Sequence, residues 1–314
     1  MKIAILYASW EDYGEPWSTP RGIKTELERR GHEVHHYNLY HWNGKLNPRN
    51  NLRQYSNEGF NAMHNDYRNG QKFDAILVMD YGPYQNALLN HSIFPDVVLI
   101  KECGDEPQAF AMHNQTAGQF DILLSPDFEC VERYKAAGLN AVYWTHFADT
   151  SIFHQEYDVE PEFDCITTCG GRRFTEEIES ALGDQFNNER YFFGEDHAKR
   201  LLMGNMVFQS SQFQEVTRRI FEGMACGRMV ICDKPRPEAN IDSLFVEDED
   251  LVYFNTAEEA IEKIRYYTEH EEERERIAEN GYKKVMEFHT QYARVDELER
   301  LIGVVKNDQF AQKS

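Results

Sequence analysis

The 314-residue sequence has no uninterrupted apolar run near the roughly 20 residues that a membrane-spanning helix needs. Positive charge is also scarce, because 33 Lys and Arg stand against 54 Asp and Glu, for a net charge of −21 at pH 7. This balance disfavours a broad nucleic-acid or anionic-membrane surface. The opening run Met1–Tyr7 is too short for a signal peptide and predicts a strand. We therefore expect a cytoplasmic protein.

Cysteine is sparse, with six scattered residues and no Cys-x-x-Cys pair. A disulfide scaffold is therefore not expected, and reduced core thiols in a cytosolic protein are the simpler interpretation. Cys165 and Cys169 lie on or beside a predicted strand and have no histidine partner at metal-binding spacing, so we predict core thiols there and no metal site. With 41% hydrophobic and 28% charged residues the chain is not disordered, and its length predicts two domains of about 150 residues each.

Short apolar runs alternate with amphipathic stretches in both halves of the chain. The predicted strands are 2–7, 33–39, 74–79, 97–102, 121–124, 141–144, 163–168, 190–193, 205–209, 229–232 and 251–254. The predicted helices include 22–30, 126–137 and 214–226, with three more between 257 and 305. Such alternation predicts an α/β protein with two doubly wound, Rossmann-like parallel sheets.

An acidic, aperiodic stretch at 149–162 is the best linker candidate. We predict a first domain at 1–155, a second at 156–290, and a C-terminal helix and tail at 291–314 that packs back toward the first. Ligands of such sheets sit outside the carboxyl ends of the strands. The expected site is therefore a cleft across which the two domains face each other.

The most informative segment is a predicted helix that carries Arg218, Arg219 and Glu222 and ends at Gly227. A carboxylate near the middle of a helix can point into a cleft and accept hydrogen bonds from two ribose hydroxyls. The alternative is that Arg218 and Glu222, four residues apart, form a surface ion pair worth roughly 0.2–0.5 kcal/mol. Residue chemistry alone leaves both interpretations open.

This segment also carries a family resemblance. The pattern Arg219-x-Phe221-Glu222-x-x-Ala225-Cys226-Gly227, followed by an apolar strand and Asp233, resembles the donor-binding half of GT-B glycosyltransferases of group 1. It is most similar to their spore-maturation-type (CgeB-like) branch, over roughly residues 199–295. The first half matches more loosely, through Gly104-Asp105-Glu106-Pro107 among others.

The resemblance implies that Glu222 binds the ribose of a nucleotide-sugar, with a UDP-sugar as the default donor. It places Arg219 and the loop Gly170-Gly171-Arg172 near the diphosphate. Many relatives carry two glutamates eight positions apart, whereas here position 214 is Gln214 and the nearby acid is Glu215. A helix N-terminus aided by arginine can stabilise a leaving diphosphate. We therefore predict no metal and no cofactor beyond the donor.

The first domain should hold a hydroxyl acceptor, which a glycan, a metabolite, a protein or a modified base could supply. Asp105 follows a predicted strand and could act as the base, although Glu102 and Glu106 compete with it, and it could equally cap the next helix. His146 follows another strand and could touch the sugar or its phosphate, or be a buried structural histidine. The aromatic loop 9–20 could stack on a sugar or base.

Three other functions fit the same architecture. A nucleotide-sugar epimerase would need no acceptor, and a product formed from the donor alone would reveal it. A transferase acting on hydroxymethylated DNA would need its Lys and Arg concentrated on one face, against the net charge. A non-catalytic binding module would lack turnover altogether.

Overall fold

The computed structural model describes residues 1–7, 18–41, 54–55, 58–79, 89–168, 173–190 and 192–313. Its contacts divide the chain into two compact units, one formed by Met1–Thr145 with Arg294–Ser314 and the other by His146–Ala293. Residues 146–155, which the sequence analysis assigns to the first domain, cluster with the second unit. The reason is local, because Ala148 forms a bridge with Thr290, and the Thr150 backbone N–H donates to Gln291 Oε1 over 2.9 Å.

The first unit is built on a parallel sheet of six strands in the order β2-β1-β5-β6-β7-β8. Its strands are β1 Lys2–Tyr7, β2 Glu33–Asn38, β5 Ala75–Val78, β6 Val98–Glu102, β7 Ile122–Ser125 and β8 Ala141–Tyr143, and a small hairpin adds β3 Tyr40–His41 and β4 Gln54–Tyr55. Its helices are α1 Ser18–Arg29, α2 Glu58–Arg68, α3 Phe110–His113 and α4 Phe128–Ala136.

The second unit carries a parallel sheet of five strands in the order β10-β9-β11-β12-β13. Its strands are β9 Phe163–Ile166, β10 Phe186–Asn187, β11 Gly204–Gln209, β12 Met229–Asp233 and β13 Val252–Phe254. Its helices are α5 Thr175–Leu182, α6 Gly194–Leu202, α7 Arg218–Ala225, α8 Ala257–Glu269 and α9 Glu271–Phe288, while α10 Gln291–Lys313 follows. The predicted pair of doubly wound parallel-sheet domains is thus confirmed.

The central strands are buried on both faces, as their near-continuous apolar runs predict. All of Ala75–Val78 and of Met229–Asp233 is buried. In the first unit α2 and α4 cover the sheet through Phe60 and Tyr134, both inaccessible to solvent. The carboxyl ends of the strands are left for polar side chains.

One predicted strand of the second unit is wrong, and one predicted helix begins later than expected. Arg190, Phe192 and Phe193 form no strand, because the chain pairs earlier, at Phe186–Asn187, where Phe186 packs on the Phe208 ring at 5.8 Å. The run leads instead into α6, which the sequence analysis did not foresee. The predicted helix 214–226 begins only at Arg218, since Gln214 has a left-handed φ of 53° that a helix excludes.

The last helix brings charged side chains to the first unit. Arg294 is buried and donates from Nε to the Thr145 carbonyl over 3.0 Å. Arg30 donates from Nη1 to Glu299 over 2.7 Å, and Lys306 pairs with Asp74. Among the described residues, no helix combines the length and apolar character that crossing a membrane requires.

Candidate active site

Polar side chains collect where the strands of the second unit end. Strand order reverses between β9 and β11, and ligands of open α/β sheets bind outside the carboxyl ends of the strands at such a switch point. Thr168 lies just beyond β9, Ser210 and Ser211 follow β11, and Asp233 is the last residue of β12. The sheet therefore presents a polar edge at the place where its topology favours a ligand.

Glu222 is the buried carboxylate of this region. It lies in the second turn of α7, and its side chain is 1% exposed. Arg218, one turn earlier, approaches Glu222 Oε1 to 2.9 Å through Nε and is itself 23% exposed. The surface pair considered from the sequence is therefore a pair with one buried member, and burying a carboxylate is costly unless a charge or a polar ligand meets it.

His197, on α6, lies on the other side of the same carboxylate. Its Nδ1 is 4.0 Å from Glu222 Oε2, and its Nε2 is 2.9 Å from the hydroxyl of Thr168. Burial lowers the pKa of His197 to about 4; the negative charge of Glu222 opposes this shift, and the charges of Arg219 and Arg218 add to it. The imidazole is therefore neutral at physiological pH.

Arg219, in the first turn of α7, contacts the last residue of β11. Its Nε donates to Gln209 Oε1 over 3.3 Å, and Gln209 in turn donates to the Ser210 carbonyl over 2.9 Å. The first turn of α7 thus stands beside the carboxyl end of β11. Within the described part of the chain, the buried hydroxyls of Ser210 and Thr217 have no hydrogen-bond partner. Buried polar groups are normally satisfied, so these two hydroxyls mark a place for a polar ligand.

Asp233 adds a second buried carboxyl at this edge. Its oxygens accept the backbone N–H of Ser211 over 2.9 Å and the Ser211 hydroxyl over 3.1 Å. Arg173 Nη1 lies 3.5 Å from Asp233 Oδ2. In the sequence, Arg173 directly follows the predicted phosphate loop. Burial nevertheless raises the pKa of Asp233 to about 6, against the hydrogen bonds from Ser211.

The predicted phosphate loop Gly170-Gly171-Arg172 lies outside the described residues, so its role stays a prediction. Gln214 occupies the position at which many relatives carry the first of two glutamates, and the structure shows what surrounds it. Gln214 is exposed, and its carbonyl accepts the Arg236 N–H over 3.0 Å. Glu215 does not replace the missing acid, because its Oε2 accepts the Phe213 N–H of its own loop over 2.7 Å.

The first-unit candidates fall into two classes. Asp105 is exposed, with a left-handed φ of 57°, just after β6. It does not cap α3, whose N-cap is Ala109 without a side-chain bond. Glu106 is fully buried and accepts from the hydroxyls of Ser125 and of Tyr134, the latter over 2.6 Å. Of the two, Asp105 alone can reach a ligand.

Glu106 also belongs to a group of possible metal ligands, together with Cys103 and His113, whose ligand atoms lie within 4.8 Å of one another. Burial raises the pKa of the Cys103 thiol well above its usual value. His113 Nδ1 lies 3.1 Å from Glu106 Oε1, so protein groups already contact both carboxylate oxygens. The chemistry of the group fits a buried hydrogen-bond network.

His146 is half-buried and has contacts of its own, and the aromatic loop 9–20 lies for the most part outside the described residues. A sugar-binding role for His146 stays a prediction.

Comparison with known proteins connects this geometry to a chemistry. A family model described as "Glycosyl transferase-like" matches residues 159–300, which include α6, α7 and β12. Sucrose-phosphate synthase from Thermosynechococcus elongatus is similar over 99% of this chain and 100% of its own, with 12% identity and a TM-score of 0.68. The chain therefore shares the GT-B fold, and its second unit is similar to the glycosyl transferase-like family model.

Two further structures share this fold. Anabaena HepE, in complex with UDP and glucose, is 12% identical over 96% of this chain and 99% of its own, with a TM-score of 0.65. The catalytic domain of starch synthase IV from Arabidopsis thaliana, bound to ADP and acarbose, is 11% identical over 98% and 99%, with a TM-score of 0.68. No curated protein sequence matches the chain.

The sequence analysis did not identify several polar groups at the carboxyl edge of the second sheet. His197 belongs to an unpredicted helix, and Thr168 was counted as part of a strand. Ser210 and Ser211 carried an available signal, since polar residues directly after a buried strand mark the ligand edge of a parallel sheet.

Proposed function

We propose that this protein is a glycosyltransferase, which moves a sugar from a nucleoside-diphosphate-sugar to a hydroxyl acceptor and binds the donor through its second unit. One observation carries the proposal. The buried carboxylate of Glu222 stands on a helix whose first turn bears Arg218 and Arg219, beside the unpartnered buried hydroxyls of Ser210 and Thr217. A carboxylate suits sugar hydroxyls, whereas hydroxyls, arginines and helix N–H groups suit phosphate.

For the donor we propose a UDP-sugar. HepE, which shares the fold, is described in complex with UDP-glucose, and the starch synthase domain is described with ADP. Uridine is therefore the first base to test and adenine the second. Within the glycosyltransferases we assign the chain to the spore-maturation-type branch, on the motif that runs from Arg219 to Gly227.

In the proposed reaction the bond between the anomeric carbon of the sugar and the diphosphate oxygen breaks as the acceptor oxygen forms a new bond to that carbon. Negative charge then gathers on the departing diphosphate. Arg219 and the N–H groups at the start of α7 can stabilise that charge without a metal. Glu222 accepts hydrogen bonds from the ribose hydroxyls, and Gly170, Gly171 and Arg172 approach the phosphates.

The acceptor proton needs a base, and Asp105 is our candidate. It is exposed beyond the carboxyl end of β6, and among the described residues its carboxylate has no hydrogen-bond partner. A free carboxylate can take a proton from a hydroxyl that reaches it. His146 is the proposed contact to the sugar or its phosphate.

The test is Glu222→Gln, which keeps the size of the side chain and removes its charge. We expect UDP or UDP-glucose binding, measured by titration calorimetry, to weaken by about 1.5–3 kcal/mol, as for lost hydrogen bonds to a charged group. Glu262→Gln, an exposed change on α8, is the control and should leave affinity unchanged. Equal affinity in the Glu222 variant and the parent would exclude the ribose role.

A further inference from the structure

His197 links two parts of the proposed donor site that are far apart in the sequence. Thr168 lies two residues after β9, shortly before the predicted phosphate-binding residues, whereas Glu222 lies on α7. The imidazole lies between them, 2.9 Å from the Thr168 hydroxyl and 4.0 Å from a Glu222 oxygen. The side chain is 13% exposed, and the ring of Phe153 meets it edge-on at 5.4 Å.

The tautomer of the His197 ring decides which of its two nitrogens donates a hydrogen bond. A neutral imidazole carries one N–H, and the partner of one nitrogen decides which nitrogen holds it. If the Thr168 hydroxyl donates to Nε2, the proton resides on Nδ1, the nitrogen that faces Glu222. The lowered pKa of His197 is consistent with the neutral form.

The separation of 4.0 Å between Nδ1 and Oε2 is longer than a hydrogen bond. It is short enough for the pair to close when the carboxylate turns. Arg218 approaches the other oxygen, Oε1, so the two sides of Glu222 meet different groups. Arginine balances the charge, and a histidine held by Thr168 would fix the plane of the carboxylate.

We infer that His197 is a positioning residue, which holds Glu222 in the orientation needed to bind both ribose hydroxyls and so makes the site discriminate ribonucleotides from 2′-deoxyribonucleotides. This inference rests on the proposed function. A carboxylate with a fixed plane can accept two hydroxyls in parallel, whereas one that is free to rotate loses the second bond in part of its conformations.

The experiment measures the preference for ribose. Dissociation constants of UDP, ADP and GDP and of their 2′-deoxy counterparts are determined by calorimetry for the parent protein. For the parent we expect a preference of about tenfold for ribose, or about 1.4 kcal/mol. His197→Phe keeps a ring in place but offers no nitrogen, and we expect the preference to fall to about twofold or less.

Two companion variants separate positioning from packing. His197→Asn places an amide near the position of Nδ1 and should restore much of the preference. His289→Phe changes another buried histidine of the second unit, one that packs on the rings of Phe221 and Phe245. It should lower the unfolding temperature and leave the preference intact.

The outcomes separate this inference from the proposed function. If no nucleoside diphosphate binds the parent protein, both fall together. A second outcome is that the parent prefers ribose, that Glu222→Gln abolishes this preference and that His197→Phe retains it. In that case the role of Glu222 stands and that of His197 is overturned. A His197→Phe protein that is merely less stable, with an unchanged ribose preference, also overturns the inference.

Discussion

Each unit buries a glutamate close to the carboxyl edge of its sheet, and the two glutamates have different surroundings. Glu106 of the first unit, with a side chain that is 0% exposed, contacts Ser125, Tyr134 and His113, all uncharged donors. Burial lowers the pKa of His113, which keeps that ring neutral. Glu222 of the second unit, at 1% exposure, contacts the guanidinium of Arg218, which solvent can reach.

This difference in partners indicates that the Glu106 carboxylate stabilises the fold, whereas the Glu222 carboxylate is available for binding. The partners of Glu106 come from β7, α3 and α4, so its network joins three elements of the first unit. Such a network leaves little for a ligand to gain, since every exchange would break an internal bond. The arginine that meets Glu222 lies one turn away on the same helix and can turn into solvent, while the His197 ring lies 4.0 Å from the other carboxylate oxygen.

The largest effect that this comparison predicts is on the stability of the first unit. Glu106→Ala removes the acceptor of the Tyr134 hydroxyl and of the His113 ring in the buried interior, and it leaves the Ser125 hydroxyl with the Asp127 backbone alone. We expect the free energy of unfolding to fall by about 3–5 kcal/mol, as when one partner of a buried charged network is removed. Urea unfolding followed by fluorescence measures the change.

Glu222→Ala is the matched variant in the second unit. It removes a carboxylate of equal burial whose partner can turn into solvent, so without ligand it should cost clearly less than the change at Glu106. If both substitutions cost the same, the distinction between the two carboxylates would be lost. If Glu106→Ala were neutral, the network would have no structural role.

A smaller effect concerns the pH dependence of the second unit. Asp233 has a pKa raised to about 6, above the 3.8 of an exposed aspartate, so the folded state favours its neutral form. The folded protein therefore binds this proton more tightly than the unfolded chain, and stability is lost as pH rises from about 4 to 6. Relative to Asp233→Asn, the parent should lose about 3 kcal/mol over that range.

Urea unfolding at several pH values measures this difference, because the other titrating groups are common to both proteins. His197 has the opposite sign, since its lowered pKa makes protonation favour the unfolded chain as pH falls below about 6.5. The free energy of unfolding of Asp233→Asn should therefore rise with pH up to about 6.5, because of the contribution of His197. A constant difference between parent and variant across pH 4–7 would mean that Asp233 is not buried as described.

The fold follows from the sequence wherever burial and periodicity agree. Runs such as Val98–Glu102 have few alternatives to a strand covered on both faces, and the strand was predicted within one residue. Arg190–Phe193 failed because three adjacent aromatic residues indicate burial without fixing a partner strand. The start of α7 failed because a single left-handed residue, Gln214, is set by its loop and not by its residue type.

The site was only partly predictable for a related reason. Glu222 and Arg219 could be found because a family pattern places them on one helix. The approach of Thr168, His197 and Glu222 joins three elements that are distant in the chain, and no local pattern encodes such a contact. Asp105 and Glu106 are neighbours that a sequence cannot rank, since only the packed structure buries one and exposes the other.

The smallest effect concerns the glycines that end one helix in each unit. Gly227, after α7, has a φ of 68°, and Gly31, after α1, has a φ of 83°. Alanine costs roughly 1 kcal/mol at a left-handed position. At Gly31 nothing lies within 4 Å of an added Cβ, whereas at Gly227 the Cβ would meet the Gln155 amide at 2.4 Å. Gly227→Ala should therefore lower the free energy of unfolding by about 1–2 kcal/mol, more than Gly31→Ala.

Because Gly227 follows the helix of Glu222, its variant should also weaken UDP binding, and Gly31→Ala should not. Equal losses at the two positions, with UDP affinity unaltered in both, would show that the end of α7 has no influence on the donor site.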